Sequence, residues 1–266
     1  MTQASLGTAL ITGASTGIGA LYAQRLAQRG HDLVLVARNR ERLNALARDI
    51  SNRTGRAVEV LVADLGAPDG LATVEAKLRE DASVTLLVNN AGIGTHTPLL
   101  ASDVDRMTQM VALNVTAPMR LAYAAVPGFV ARGRGALINI SSIVAVAPEV
   151  LNGVYGGSKA FVLAFTQSLQ HELADKGVRV QAVLPGATAT DFWALGGLPV
   201  EQLDARIVMR AEDMVDAALV GFDQGEVVTL PSLHTLSQWE AYESARRALG
   251  AHLSANTPAP RYAAGH

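Results

Sequence analysis

A doubly wound α/β architecture is predicted for this chain: a mostly parallel, seven-stranded sheet with helices on both faces, in a single domain. Three observations predict it. Short runs rich in β-branched residues and leucine recur at 8–12, 32–37, 57–62, 84–88, 136–140, 178–183 and 226–230. Most are nearly continuous in apolar character instead of alternating, which suits strands covered on both faces. Helical stretches separate them, and this alternation implies parallel strands joined by right-handed crossovers.

Taken in order, the first strand leads through a glycine-rich turn into a helix over 17–29. Ile18, Leu21, Tyr22 and Leu26 form its apolar stripe, and Gly30 supplies a left-handed cap. After the second strand, Leu43, Leu46, Ala47 and Ile50 stand at i, i+3, i+4 and i+7, the spacing of one helix face. Longer helical patterns cover about 103–126 and 155–176, and another covers 211–223. No repeat of solenoid period and no Pro/Ser-rich linker interrupts the chain. One domain is therefore expected over 1–253, including a substrate loop at about 187–210. Residues 254–266, with Pro258 and Pro260 among small residues, read as a loosely packed tail.

The 266 residues are 49% hydrophobic and 17% charged, enough to bury a substantial core in one large α/β unit. The 24 glycines exceed the ~7% average share, so tight turns and close backbone approaches are expected. A formal net charge of −2 gives no basic surplus for nucleic acid. Zero cysteines exclude disulfides, thiolate nucleophiles and zinc–sulfur sites. The amino-terminal residues lack the pattern of a signal peptide, and no apolar run approaches the ~20 residues of a membrane helix. The expectation is a soluble cytoplasmic protein without nucleic-acid or membrane partners, and no metal site is expected.

Two clusters carry chemistry. Residues 12–19 read Thr-Gly-Ala-Ser-Thr-Gly-Ile-Gly, with Gly13, Gly17 and Gly19 spaced G-x-x-x-G-x-G. Glycines there let the backbone turn sharply and approach a pyrophosphate, and the following helix N-terminus offers free N–H groups. Further on, Tyr155 and Lys159 sit four residues apart, about one helical turn, with Ser142 thirteen residues upstream. A helix would place phenol and ammonium on one face, where a serine from a strand end can meet them. Such a trio can hydrogen-bond a carbonyl oxygen and hand it a proton. Ser141 and Ser142 should not both face the same side of the strand end.

Together these segments resemble the short-chain dehydrogenase/reductase family. T-G-x-x-x-G-I-G is met at 12–19, N-N-A-G at 89–92, a helix asparagine at Asn114, and N-I-S-S at 139–142. Y-x-x-x-K follows at Tyr155 and Lys159, then P-G at Pro185 and Gly186 with Thr190 beyond. The matches keep family order and spacing over about residues 5–190. The resemblance implies a Rossmann-type fold, a nicotinamide dinucleotide and interconversion of a ketone or aldehyde with an alcohol.

It also implies roles for particular residues. Tyr155 becomes the general acid or base and Ser142 the group that binds the substrate oxygen. Lys159 favours the phenolate and holds the nicotinamide ribose, and Asn114 positions a water beside it. The cofactor set it implies is Gly13, Ser15, Thr16, Gly17, Ile18, Gly19, Arg38, Asp64, Leu65, Asn90, Ala91, Gly92, Tyr155, Lys159, Pro185, Gly186, Thr188 and Thr190. The asparagines at 89–90 can serve the ribose, brace the sheet, or both. Relatives that prefer NAD usually end the second strand with an acid; here Ala37 stands there and Arg38 follows. An acid would repel a 2′-phosphate, whereas an arginine grips it through charge-assisted hydrogen bonds, so NADP(H) is expected over NAD(H). Thr16 departs from the second basic residue that many NADP-preferring relatives carry.

Phe192 and Trp193 are expected to line an apolar substrate pocket, with His96, Val150 and Leu151 near its mouth. The substrate expected is a small-molecule carbonyl compound or alcohol of apolar character, and a homodimer or homotetramer through the two long helices is implied. The competing function is a redox-inactive dinucleotide sensor or scaffold, which has little need for an intact Ser–Tyr–Lys set. A methyltransferase would not need Tyr155 and Lys159, and an extended-family epimerase or dehydratase typically has a larger C-terminal substrate region.

Overall fold

The structure is a computed structural model and describes residues 6–262. It falls into two compact units divided between Pro231 and Ser232. The first unit opens with β1 (Thr8–Thr12), α1 (Gly17–Gln28), β2 (Asp32–Ala37), α2 (Arg40–Thr54), β3 (Val58–Val62), α3 (Pro68–Glu80) and β4 (Val84–Asn89). It continues through α4 (Val104–Val111), α5 (Ala117–Ala131), β5 (Gly135–Ile140), α6 (Gly153–Leu173) and β6 (Val178–Val183). The remaining elements are β7 (Thr188–Ala189), α7 (Phe192–Leu195), β8 (Met209–Arg210), α8 (Ala211–Asp223) and β9 (Val228–Thr229). In the second unit the sequence reading placed no helix, yet α9 (Leu236–Leu249) forms there. Of the stretch read as a tail, residues 263–266 lie outside the described residues.

Seven strands pair in the order β3-β2-β1-β4-β5-β6-β9, every pairing parallel. The short β7 and β8 form a separate parallel pair. Strand side chains alternate between two cores, which is why the runs read as continuously apolar. Ala9, Ile11, Leu33, Leu35, Leu86 and Val88 enter one core, with Tyr22 and Met214 from α1 and α8. Leu10, Val34, Val36 and Leu87 enter the other, with Val74, Leu121 and Leu169 from α3, α5 and α6. The inner strands β1, β2 and β4 thus bury both of their faces, as strands between helical layers must, while the edge strand β3 is only partly buried.

Strand order reverses between β1 and β4, so a crevice opens beyond the carboxyl ends of these strands. Local signals deliver the chain to it. Gly30, at φ +103°, ends α1 in a left-handed turn; its N–H donates to Ala27 O (3.0 Å) and that of His31 to Leu26 O (3.0 Å).

The helix expected over 103–126 is broken. Between α4 and α5, Ala112–Thr116 widen into a π turn, with Asn114 at its centre and buried. Pro118 supplies the reason: it has no N–H to give to the carbonyl of Asn114, four residues earlier, so regular α-helical bonding cannot continue. No helix among the described residues is long and apolar enough to cross a membrane.

Candidate active site

The turn between β1 and α1 is shaped by its glycines. Gly13 and Gly17 adopt left-handed φ values of +65° and +55°. Gly19 is required for space: a Cβ there would stand 2.3 Å from Gly13 O and 2.5 Å from Asn90 Nδ2. Thr16, at the helix start, makes no side-chain cap bond, so the leading N–H groups of α1 are left for another acceptor. The turn is tied to the end of β4. Thr12 Oγ1 accepts from the N–H groups of Asn90 (2.9 Å) and Ala91 (3.0 Å), and Asn90 Nδ2 donates to Thr12 O (2.9 Å). This glycine-lined concavity at a helix N-terminus fits a dinucleotide pyrophosphate.

The other residues expected around a dinucleotide are distributed unevenly. Arg38 is exposed at the end of β2 and Ser15 half-buried in the turn, both beyond the strand ends. Asp64 is exposed, and its Oδ1 accepts from Gly66 N–H (2.9 Å), shaping its own turn. Leu65 sends its side chain into a core, leaving only its backbone to face a ligand. Asn90 has its amide nitrogen committed to the turn, and Asn89 Nδ2 donates to Asn139 Oδ1 (3.0 Å), so bracing dominates for both side chains. Thr190 touches the turn from the far side: a Cβ on Gly17 would meet its Cγ2 at 3.3 Å. Thr188 is buried and donates to Gly186 O (3.1 Å), stiffening the segment after Pro185.

Asn114, Ser142, Tyr155 and Lys159 are 2%, 8%, 6% and 6% exposed, so four polar side chains are sequestered together. Three elements bring them in: α6 carries Tyr155 and Lys159, the end of β5 carries Ser142, and the π turn carries Asn114. The two serines diverge as strand alternation requires. Ser141 Oγ donates to Lys159 O (2.8 Å), while Ser142 Oγ donates to Pro185 O at 3.5 Å and acts on the Tyr155 phenol. Lys159 Nζ donates to Ile140 O (2.9 Å) and stands 5.8 Å from the Tyr155 ring centroid. A Cβ on Gly92 would lie 3.1 Å from Asn114 Oδ1 and 3.6 Å from Lys159 Nζ, so both groups converge on that glycine. Asn114 spends its amide on Ile93, accepting from its N–H (2.9 Å) and donating to its carbonyl (2.8 Å), and on Ser158 Oγ (3.2 Å).

Burial sets the protonation of the pair. It pushes the Tyr155 phenol up to about 12, with the Ser142 hydroxyl pulling partly back, and pushes Lys159 down to about 8. Burial raises the phenol, the opposite direction to the preference for phenolate that a nearby charged lysine supplies. A protonated phenol beside a hydroxyl is the arrangement needed to donate hydrogen bonds to a carbonyl oxygen.

The lysine shift has a measurable consequence. With a folded-state value near 8 against 10.5 unfolded, the unfolded chain holds more protons between those values, and stability rises with pH there. The cost of burying this charge is thus complete below about pH 8 and fades above it. Lys159→Met is expected to stabilise the protein most at pH 7, with the gain over wild type shrinking by pH 9.5 in denaturant unfolding. A gain that does not change with pH would refute a charged buried Lys159.

Above the phenol lies an apolar wall. The Phe192 ring packs 5.7 Å from that of Tyr155 and makes an edge contact with Trp193 at 5.9 Å. Phe192 fits there because residue 94 is glycine: a Cβ would come within 2.3 Å of Phe192 Cζ. Trp193 Nε1 donates to Thr188 O (2.9 Å), and His96 Nδ1 lies 3.1 Å from Gly196 O. His96, Leu151, Phe192 and Trp193 line one small cavity with Gly94 and Leu198. Val150 is 57% exposed and outside this lining. Gly94 was not singled out in the sequence, although a glycine just past N-N-A-G is the available signal for close packing. Among the described residues no cluster of His, Asp and Glu could hold a metal ion.

Comparison with known proteins matches residues 7–195, well over half of the chain, to the family model for short chain dehydrogenases. A short-chain dehydrogenase from Sphingobium yanoikuyae, solved in complex with NADPH, is 49% identical with a TM-score of 0.94, covering 97% of this chain and 100% of its own. The bulky-bulky ketone specific alcohol dehydrogenase from Comamonas testosteroni is 43% identical with a TM-score of 0.90, covering 98% and 100%. A very-long-chain 3-oxoacyl-CoA reductase from Anas platyrhynchos is 34% identical over 186 residues, 68% of this chain and 60% of that protein. The chain thus spans about 60% of the length of that curated relative. With the parallel sheet, the glycine turn and the buried Ser–Tyr–Lys cluster all in family order, the chain belongs to the short-chain dehydrogenase/reductase family.

Proposed function

We propose that this protein is an NADP(H)-dependent oxidoreductase that interconverts an apolar ketone or aldehyde with its alcohol. The observation that carries the reading is the convergence of Ser142 and a protonated Tyr155 beneath an apolar wall, one crevice away from a glycine turn built for a pyrophosphate. When bound, the nicotinamide supplies or accepts hydride at carbon. Ser142 donates a hydrogen bond that orients and polarises the substrate oxygen. Tyr155 delivers its proton to that oxygen in reduction and takes it back in oxidation. Lys159 raises the positive potential beside the phenol when charged, easing that loss, and Asn114 would position a water beside Lys159. Phe192 and Trp193 exclude water above the oxygen.

Arg38 and Ser15 would hold the adenosine 2′-phosphate. The NADPH bound by the Sphingobium relative supports this choice, and the bulky-bulky ketone specificity of the Comamonas enzyme supports a ketone substrate. Tyr123 on α5, 73% exposed, is offered as part of a homo-oligomer contact through the long helices.

The test is oxidation of NADPH and NADH in parallel over a panel of ketones and aldehydes. Turnover with NADPH is expected; tight NADPH binding without turnover on any carbonyl would favour a redox-inactive binder. Arg38→Ala is expected to weaken NADPH by about 10- to 100-fold, the worth of a charge-assisted phosphate contact, while leaving NADH nearly unaffected. Equal losses for both cofactors would refute phosphate recognition at this residue.

A further inference from the structure

Asn152 lies three residues before Tyr155, is 6% exposed, and uses both ends of its amide. Its Oδ1 accepts from the main-chain N–H groups of Val154 (2.8 Å) and Tyr155 (3.4 Å), capping α6 at the turn that carries the phenol. Those two donors can only meet an oxygen, so the amino end is fixed on the opposite side. There Nδ2 donates to Thr97 O (2.6 Å) and to Ser102 Oγ (3.2 Å). Ser102 Oγ in turn lies within reach of Thr97 O (3.0 Å) and Pro98 O (2.8 Å) and gives its single proton to one of them, closing the 97–102 loop on itself. This loop directly continues Gly94, Thr95 and His96, which form one wall of the cavity beside Phe192. Leu151, the neighbour of Asn152, lines the same cavity.

We infer that Asn152 is a positioning residue with two separable arms: its oxygen places Tyr155, and its amino group places the loop that walls the substrate cavity. The inference rests on the oxidoreductase reading above. Asparagine is suited to this because it offers an acceptor and two donors on one short amide. Aspartate keeps the acceptor and serves a helix N-terminus well, but turns a carboxylate oxygen toward the carbonyl of Thr97. Alanine removes both arms.

The two variants separate the arms. Asn152→Asp should raise KM for the carbonyl about tenfold with kcat within about twofold of wild type, because the cap survives and the loop anchor does not. Asn152→Ala should lower kcat by about tenfold as well, since the helix start that holds the phenol is also released. Hydrogen exchange supplies a readout independent of turnover. Amides at 97–102 should exchange faster in both variants, and those at 153–156 only in Asn152→Ala. Equal kinetic effects of the two variants, or unchanged exchange at 97–102 in Asn152→Asp, would overturn the inference. A wild type that reduces no carbonyl instead overturns the oxidoreductase reading, so the two failures are told apart by separate measurements.

Discussion

Tyr155→Phe is expected to lower kcat for carbonyl reduction by about 10²- to 10⁴-fold, the usual contribution of a positioned general acid. The substitution removes one oxygen and leaves the ring, which packs against Phe192 and the Met107, Met110 and Val144 cluster. The apolar surroundings that push the phenol up to about 12 lose little when it becomes a phenyl, so the fold should hold or gain stability. NADPH affinity should change by no more than a few-fold, because the pyrophosphate turn lies on β1 and α1. Stopped-flow turnover and equilibrium nucleotide titration check the two halves. Near-wild-type turnover would remove Tyr155 from proton transfer; lost binding would mean that the phenol acts chiefly on the nucleotide.

Gly19→Ala is expected to cost at least about 100-fold in NADPH affinity, by sterics alone. The backbone of Gly19 is ordinary, so no conformational penalty applies; the obstacle is a new Cβ 2.3 Å from Gly13 O. That neighbour is main chain and cannot swing away, and the second, Asn90 Nδ2, holds the turn to β4. The turn must open, and with it the concavity for the pyrophosphate. Gly157→Ala is the control, being an exposed helix position where a Cβ meets nothing within 4 Å. It should bind NADPH normally and gain up to about 1 kcal/mol from helix propensity. Isothermal titration and thermal unfolding of both variants decide the matter. Unimpaired binding by Gly19→Ala would show that the turn does not cradle the nucleotide.

Much of this architecture is legible in the chain because its signals are local. Continuous apolar runs mark β1 to β6 to within a residue or so, and Gly30 marks the end of α1. The break at Asn114 is hidden in the sequence because helical periodicity runs on through both halves. The short α7 was likewise hidden: four residues are too few for a period, and Phe192 is held by contacts with Gly94 and Tyr155 far away in sequence. Asn152 carried a usable sign, a capping residue just ahead of a helix, but its second arm reaches Thr97 and cannot be read from spacing.

Sequence by itself determined the alternation of the main strands with their crossover helices, the glycine turn, and the four-residue spacing of Tyr155 and Lys159, since each depends on neighbours along the chain. Tertiary structure alone decided their charge and company. Spacing brings a lysine that favours the phenolate close to the phenol, whereas packing by Met107, Met110, Val144 and Phe192 buries the phenol and raises it. Desolvation is a property of everything packed around a group, and only the folded chain specifies that packing.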